Sequence, residues 1–222
     1  MSVAVIICGG APAPALERIS NLVDGYERVF FIGADRGALR LIRAGYTLDY
    51  AIGDFDSVTS SELAIVQANS QHFEQMPSEK DDTDMELAIA LAFEQAPTGD
   101  YYVLGGLGEK GGRLDHLISN LWLVHQPRFR PAIPRLHFIE KHSDTCFYTA
   151  GQYEIENTHT QYLSIVALTP VKELAIHCAK YELPATSFQQ PRAFISNEFL
   201  DTDVKLSFTE GIVMVMRVNE VR

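Results

Sequence analysis

Cysteine is scarce in this chain: Cys8, Cys146 and Cys178 lie far apart, are odd in number and form no CxxC spacing. That argues against a disulfide framework or a zinc site and fits a reducing cytoplasm. Runs of basic residues are also missing, and 29 acidic residues outweigh 18 basic ones for a formal net charge of -11. Nucleic acid and anionic membrane surfaces are therefore poor partners. The apolar run inside the opening MSVAVIICGG is only about six residues long and has no basic leader, too short for a signal peptide or a membrane span. It reads as a buried first strand. Trp122 is the single tryptophan; it falls on an expected helix and reads as core. No internal repeat, low-complexity segment or GxxxxGK[ST] phosphate loop is present.

What is there is enough apolar sequence, 46% of 222 residues, to build real cores. From residue 1 to about 130, short β-branched runs alternate with stretches of helical periodicity, which predicts an α/β domain on a mainly parallel, Rossmann-like sheet. Expected strands are Val3 to Cys8, Val29 to Ile32, Tyr50 to Ile52, His72 to Gln75 and Tyr101 to Leu104. Apolar spacing predicts helices around Leu16 to Val23, around Leu39 and Ile42, and from Leu114 to Leu121, each with one face against the sheet. The three prolines of PRFRPAIPR rule out a continuing helix, so a boundary is placed between 130 and 131. From 131 to 222 the pattern is one of short alternating segments: Thr145 to Tyr148, Leu163 to Leu168, Leu174 to Cys178, Val204 to Phe208 and Ile212 to Val218. An all-β, sandwich-like second domain is expected.

Chemistry concentrates in the turns after the first strands. In GDFDSV, Asp54 and Asp56 stand two apart, and in extended backbone they point the same way. Two carboxylates about 4 Å apart repel by roughly 4 kcal/mol at an effective dielectric near 20, which a cation or a raised pKa relieves; an Asx-turn that caps backbone N–H groups is the competing reading. EKDDTDMELAIALAF puts Asp81, Asp82, Thr83 and Asp84 at a helix start, where one acid or Thr83 suffices as a cap. The surplus acids suit Mg²⁺, and Lys80 just upstream suits a phosphate. LGGLGEKGGRLDHLISNL combines Gly105, Gly106, Gly108, Gly111 and Gly112 with Arg113 and Asp115, the glycines allowing close backbone approach to phosphate and the arginine offering a donor fork; a plain flexible turn is the bland alternative. His116 reads as a packed helix residue. GGAP at Gly9 and Gly10 and GADRGA around Asp35 follow strands in the same way. Ligands bind outside the carboxyl ends of the strands in such sheets, so these loops should share one magnesium-nucleotide crevice.

The ordered set GGAP, ADRGA, GDFDSV, KDDTDMELA, GGRLDHLISNL and ISNEF resembles the thiamine pyrophosphokinase family over nearly the whole chain. The resemblance implies that the thiamine hydroxyl attacks the β-phosphorus of ATP, releasing AMP and leaving thiamine diphosphate. It implies that Asp54, Asp56 and Asp84 hold Mg²⁺ against ATP, with Asp81 and Asp82 as neighbours and Thr83 orienting the cluster. Gly9, Gly10 and Asp35 would line the nucleotide crevice. Arg113 would neutralise transition-state charge, and Asp115 would lie toward thiamine as proton acceptor or metal ligand. Ser196 and Asn197 of ISNEF match the thiamine side, in a site between the two subunits of a homodimer. Two departures stand out: Arg36 replaces a glycine of the ADGGA pattern, and Tyr181 stands where a residue stacks on the thiamine ring. A metal-dependent phosphoesterase and a non-catalytic nucleotide or thiamine sensor are the competing functions.

Overall fold

The computed structural model describes residues 1–109 and 111–220. Alternation of buried runs with amphipathic helices produces six parallel strands in the first unit, Met1–Lys141: β1 (Val3–Cys8), β2 (Arg28–Ala34), β3 (Leu48–Gly53), β4 (Ser70–Gln75), β5 (Asp100–Leu104) and β6 (Leu136–Ile139). Their order is β6-β5-β1-β2-β3-β4, so β1 is central and the chain crosses back over the sheet between β4 and β5. Strand composition follows position. Every residue of VAVIIC after the first is buried, whereas the edge strand SQHFEQ has none buried, a polar edge that discourages further pairing.

The connecting helices are α1 (Ile19–Leu22), entered through a 3₁₀ turn, α2 (Arg36–Arg43), α3 (Ser60–Ala68), α4 (Asp84–Gln95) and α5 (Leu114–Trp122). Helix α3, with no counterpart among the expected helices, starts at a capping box in which Thr59 Oγ1 accepts the Glu62 N–H and Glu62 accepts the Thr59 N–H. Helices α2 and α3 help enclose a core of Ile6, Leu39, Leu41, Leu48, Phe55 and Val66. Gly37 of the ADRGA turn sits where a Cβ would come 1.9 Å from the Cys8 carbonyl oxygen, so this helix–strand approach tolerates no side chain.

Two expectations change here. The proline-rich segment lies within the first unit: it forms 3₁₀ turns at Pro127–Phe129 and Ile133–Arg135, with Phe129, Ala132 and Ile133 buried, and leads into β6. Proline stops an α-helix but fits the first positions of a short turn, and the compact units divide between Lys141 and His142, later than 130/131. Trp122 is not core either. With Leu114 and Ile118 it forms an exposed apolar stripe along α5, the three being 58%, 70% and 47% exposed respectively.

The second unit, His142–Arg222, is β-rich and antiparallel: β7 (Ser143–Ile155), β8 (Tyr162–Ala167), β9 (Val171–His177), β10 (Leu183–Phe188), β11 (Arg192–Asn197) and β12 (Val204–Val218). The segments Val204 to Phe208 and Ile212 to Val218 are one strand interrupted by a bulge, with Gly211 at φ +112. The first half of β12 pairs with β9 and the second with β8, while β7 runs beside both. Alternate residues Val204, Leu206 and Phe208 point into a core shared with Leu163, Ile165, Leu174, Ile176 and Val213. No helix among the described residues is long and apolar enough to cross a membrane.

Candidate active site

At the carboxyl ends of the parallel strands the turns after β1, β2, β3 and β5 meet the start of α4 around a crevice of about 470 Å³. Its lining includes the expected Gly9, Gly10, Asp35, Asp54, Asp56, Asp84, Gly105, Gly106, Gly112 and Arg113, and also His116 and Asn120. The switch in strand order beside β1 explains the convergence, because turns on either side of a reversal diverge and leave a cleft between them.

The acids gather as a group. One carboxylate oxygen each from Asp35, Asp54 and Asp56 lies within 4.8 Å of the others. Asp35 caps α2 at φ +48, its amide bonded to the Ile52 carbonyl at 3.0 Å. Its Oδ2 accepts the Ser57 hydroxyl at 2.6 Å, and its buried Oδ1 has no hydrogen-bond partner. Phe55, at φ +57, turns inward to stack on Phe73 at 5.0 Å, which leaves the flanking aspartates facing the crevice. Asp54 Oδ1 accepts the Asp56 N–H at 3.2 Å, so the Asx-turn reading holds for one oxygen. The other, Oδ2, meets Lys80 Nζ at 3.3 Å.

Asp84 stands at the first position of α4. Its Oδ1 lies 3.1 Å from Lys80 Nζ, an ion pair without hydrogen-bond alignment, and that buried oxygen has no hydrogen bond. Burial raises the Asp84 pKa and nearby Asp54 and Asp35 reinforce the rise, with Lys80 opposing it. For Asp54, burial pushes upward, but the Asp56 N–H and the Lys80 ammonium outweigh it and hold the carboxyl below its ordinary value. The helix start itself is closed by a capping box: Thr83 Oγ1 accepts the Glu86 N–H at 3.2 Å and Glu86 accepts the Thr83 N–H at 2.8 Å. Asp82 faces elsewhere, in a two-pronged pair with Arg128 at 2.6 and 2.7 Å. Asp81 is exposed.

Several expected residues lie beside the lining. Arg36 extends its guanidinium to the Ser57 carbonyl. Asp115 pairs with Arg113 at 2.6 Å in an exposed ion pair, and that guanidinium pulls its pKa down to about 2. His116 is exposed and lines the crevice rather than packing. In the second unit, Asn197 is buried: its Oδ1 accepts the Tyr181 and Glu198 N–H groups, both at 2.9 Å, and its Nδ2 donates to the Tyr181 carbonyl at 2.8 Å. Asn197 thus fixes the backbone that presents the 60% exposed Tyr181 ring. Ser196 sits at φ +58 with its amide on Ser164 Oγ at 3.3 Å.

Sequence reasoning missed Asn120 and Glu140. Asn120 Nδ2 donates to the Gly106 carbonyl at 2.5 Å, and Glu140 Oε1 accepts the Leu107 and Gly108 N–H groups at 2.8 and 3.1 Å. The one available signal for Glu140 was a charge closing the apolar run LHFI.

Residues 26–133 match the family model described as "Thiamin pyrophosphokinase, catalytic domain". The chain is 28% identical over 214 residues to a thiamine pyrophosphokinase of Bacillus subtilis (strain 168), covering 95% of this chain and 96% of that one. Among solved structures it resembles a thiamin pyrophosphokinase family protein from Enterococcus faecalis, with a TM-score of 0.88, 32% identity, and 99% and 100% of the two chains covered. A thiamine pyrophosphokinase structure from Bacillus subtilis gives a TM-score of 0.81 at 27% identity, with 98% and 100% covered.

Proposed function

This chain belongs to the thiamin pyrophosphokinase family, and from that premise we propose that the crevice of its first unit binds Mg-ATP and carries the transfer. The activity is that of an ATP-dependent thiamine pyrophosphokinase, moving pyrophosphate to the thiamine hydroxyl with release of AMP. The bond that forms joins the hydroxyl oxygen to the β-phosphorus, and the bond that breaks links that phosphorus to the AMP oxygen. One observation carries the placement, that aspartate oxygens from separate turns meet within 4.8 Å; in support, Asp35 and Asp84 each keep a buried oxygen without a hydrogen bond.

An all-carboxylate donor set of this kind suits a hard divalent cation. Asp54, Asp56 and Asp84 would hold Mg²⁺ in this reading, and Asp35, whose carboxylate oxygen gathers with those of Asp54 and Asp56, would be a further ligand. The ion, when bound, neutralises phosphate charge and orients the oxygens of the transferred group. The protein contributes position and field. Arg113 at the crevice rim stabilises charge that develops on the phosphates, and Lys80, paired with Asp54 and Asp84, holds those acids together. Asp115, paired with Arg113 at 2.6 Å, orients that guanidinium on the thiamine side.

The parallel sheet is Rossmann-like in this reading, with its ligand at the strand-order reversal, and the second unit is the sandwich-like domain that contributes Tyr181 and Ser196 to thiamine binding, with buried Asn197 acting through the Tyr181 backbone it holds. A homodimer with the thiamine site between subunits accounts for the apolar stripe of α5 and for exposed Tyr181, Ile195 and Leu200, surfaces that cost free energy in water. Three free cysteines suit a cytoplasmic location.

The test is incubation with ATP, Mg²⁺ and thiamine, with AMP and ADP measured separately. AMP that forms only when thiamine is present supports the proposal. ADP would indicate an ordinary kinase, and phosphate release from unrelated esters a phosphoesterase.

A further inference from the structure

Glu140 follows β6 and is 2% exposed. Burying a carboxylate is expensive unless donors surround it, and these donors come from the glycine-rich turn after β5, the Leu107 and Gly108 N–H groups at 2.8 and 3.1 Å. Arg18 Nη1 holds the same residue by its carbonyl at 2.9 Å. Burial pushes the Glu140 carboxyl up in pKa and the Glu109 charge adds to the rise, against the opposing pull of the Leu107, Gly108 and Glu109 N–H groups.

The turn is pinned from its other side as well. Asn120 donates to the Gly106 carbonyl at 2.5 Å. Gly105 and Gly108 stand at φ +65 and +64, and a Cβ on Gly106 would come within 2.7 Å of Val103 and 2.8 Å of Phe138. Successive N–H groups in such a turn form a concavity that attracts an anion. In this protein a carboxyl group of the fold itself already fills it.

We propose that Glu140 is a positioning residue for nucleotide binding: its carboxylate occupies the anion-binding concavity of the 105–108 turn and thereby fixes the turn as a preformed wall of the crevice. The Leu107 and Gly108 amides are committed to Glu140 and do not hold phosphate. Gly105, Gly106, Leu107 and Gly108 all line the crevice, so a turn released from Glu140 would have to be ordered again at the expense of binding. The inference rests on the crevice being the ATP site.

The test is titration of the full-length protein with Mg²⁺ and a non-hydrolysable ATP analogue, well below each variant's melting temperature. Glu140→Ala should weaken binding about tenfold or more, while Glu140→Gln, which keeps a carbonyl oxygen for the Leu107 and Gly108 N–H groups but loses the charge, should lose clearly less than Glu140→Ala. Should the alanine variant not fold, Glu140→Asp, with its oxygens drawn back by one methylene, should show a loss of about tenfold instead. Wild-type affinity in folded Glu140→Ala or Glu140→Asp overturns the proposal, even if the melting temperature drops. So does a Glu140→Gln variant that loses as much as Glu140→Ala. A wild-type protein that binds no nucleotide overturns the reading of the crevice itself, and the proposal with it.

Discussion

Lys80 Nζ lies 3.3 Å from Asp54 Oδ2 and 3.1 Å from Asp84 Oδ1, so one ammonium spans two carboxylates contributed by different turns. The side chains are largely buried, the lysine at 13% exposure, which lets the attraction act with little screening. Replacing Lys80 by methionine leaves those acids facing each other. The metal-free protein should lose about 2 kcal/mol, read as a melting temperature lower by about 4 to 8 °C. Added Mg²⁺ should recover more of that loss than it adds to wild type.

Asp84→Asn should move stability the other way. The folded pKa of Asp84 is raised, chiefly by burial, so the stability tied to its neutral form is present below the unfolded value and lost as pH rises through the folded one. At neutral pH the ionised group is a burden that asparagine lacks. The metal-free variant should melt higher than wild type at pH 7. Mg-ATP at about 100 times its Kd stabilises wild type by about 2.7 kcal/mol, and the variant should gain much less. A lower melting temperature without ligand would contradict the assignment.

Asp82, by contrast, is structural. Arg128 holds its carboxyl below the ordinary value, so its contribution is present above the unfolded pKa, about 3.9, and is lost as pH falls through the folded one. Arg128→Met should cost about 0.5 to 1 kcal/mol at neutral pH, with the difference from wild type shrinking in acid. Turnover at saturating ATP should barely change.

Asn197→Ala removes an amide that satisfies three backbone groups around Tyr181, a loss of about 1 to 3 kcal/mol in local stability. The thiamine KM should rise well above wild type while the ATP KM stays put, and Tyr181→Ala should show the same split. Equal effects on both substrates would move the thiamine contact elsewhere.

How much of this was legible depended on whether a residue's role is local. The buried runs of β1, β2 and β5 and the acids of GDFDSV and DDTD carry their patterns in a few adjacent positions. Strand β6 was assigned to the wrong half because its four residues follow prolines that read as a boundary. Strands β10 and β11 were missed because LPATSF and RAFISN are short and half exposed. Residues 204 to 218 read as two strands because Thr209, Glu210 and Gly211 look like a turn, whereas in the fold they are a bulge. Glu140 meets the glycine-rich turn 33 residues upstream of it, and only the parallel pairing of β5 with β6 brings them together. Trp122 was misplaced because helical spacing marks an apolar face without saying what covers it.

The central claim is that the crevice aspartates carry pyrophosphoryl transfer, and the most direct measurement is thiamine-dependent AMP formation by Asp54→Asn and Asp56→Asn at limiting Mg²⁺, alongside circular dichroism. The account predicts wild-type spectra with AMP formation lowered by at least about a hundredfold. Folded variants that release AMP at the wild-type rate would contradict it.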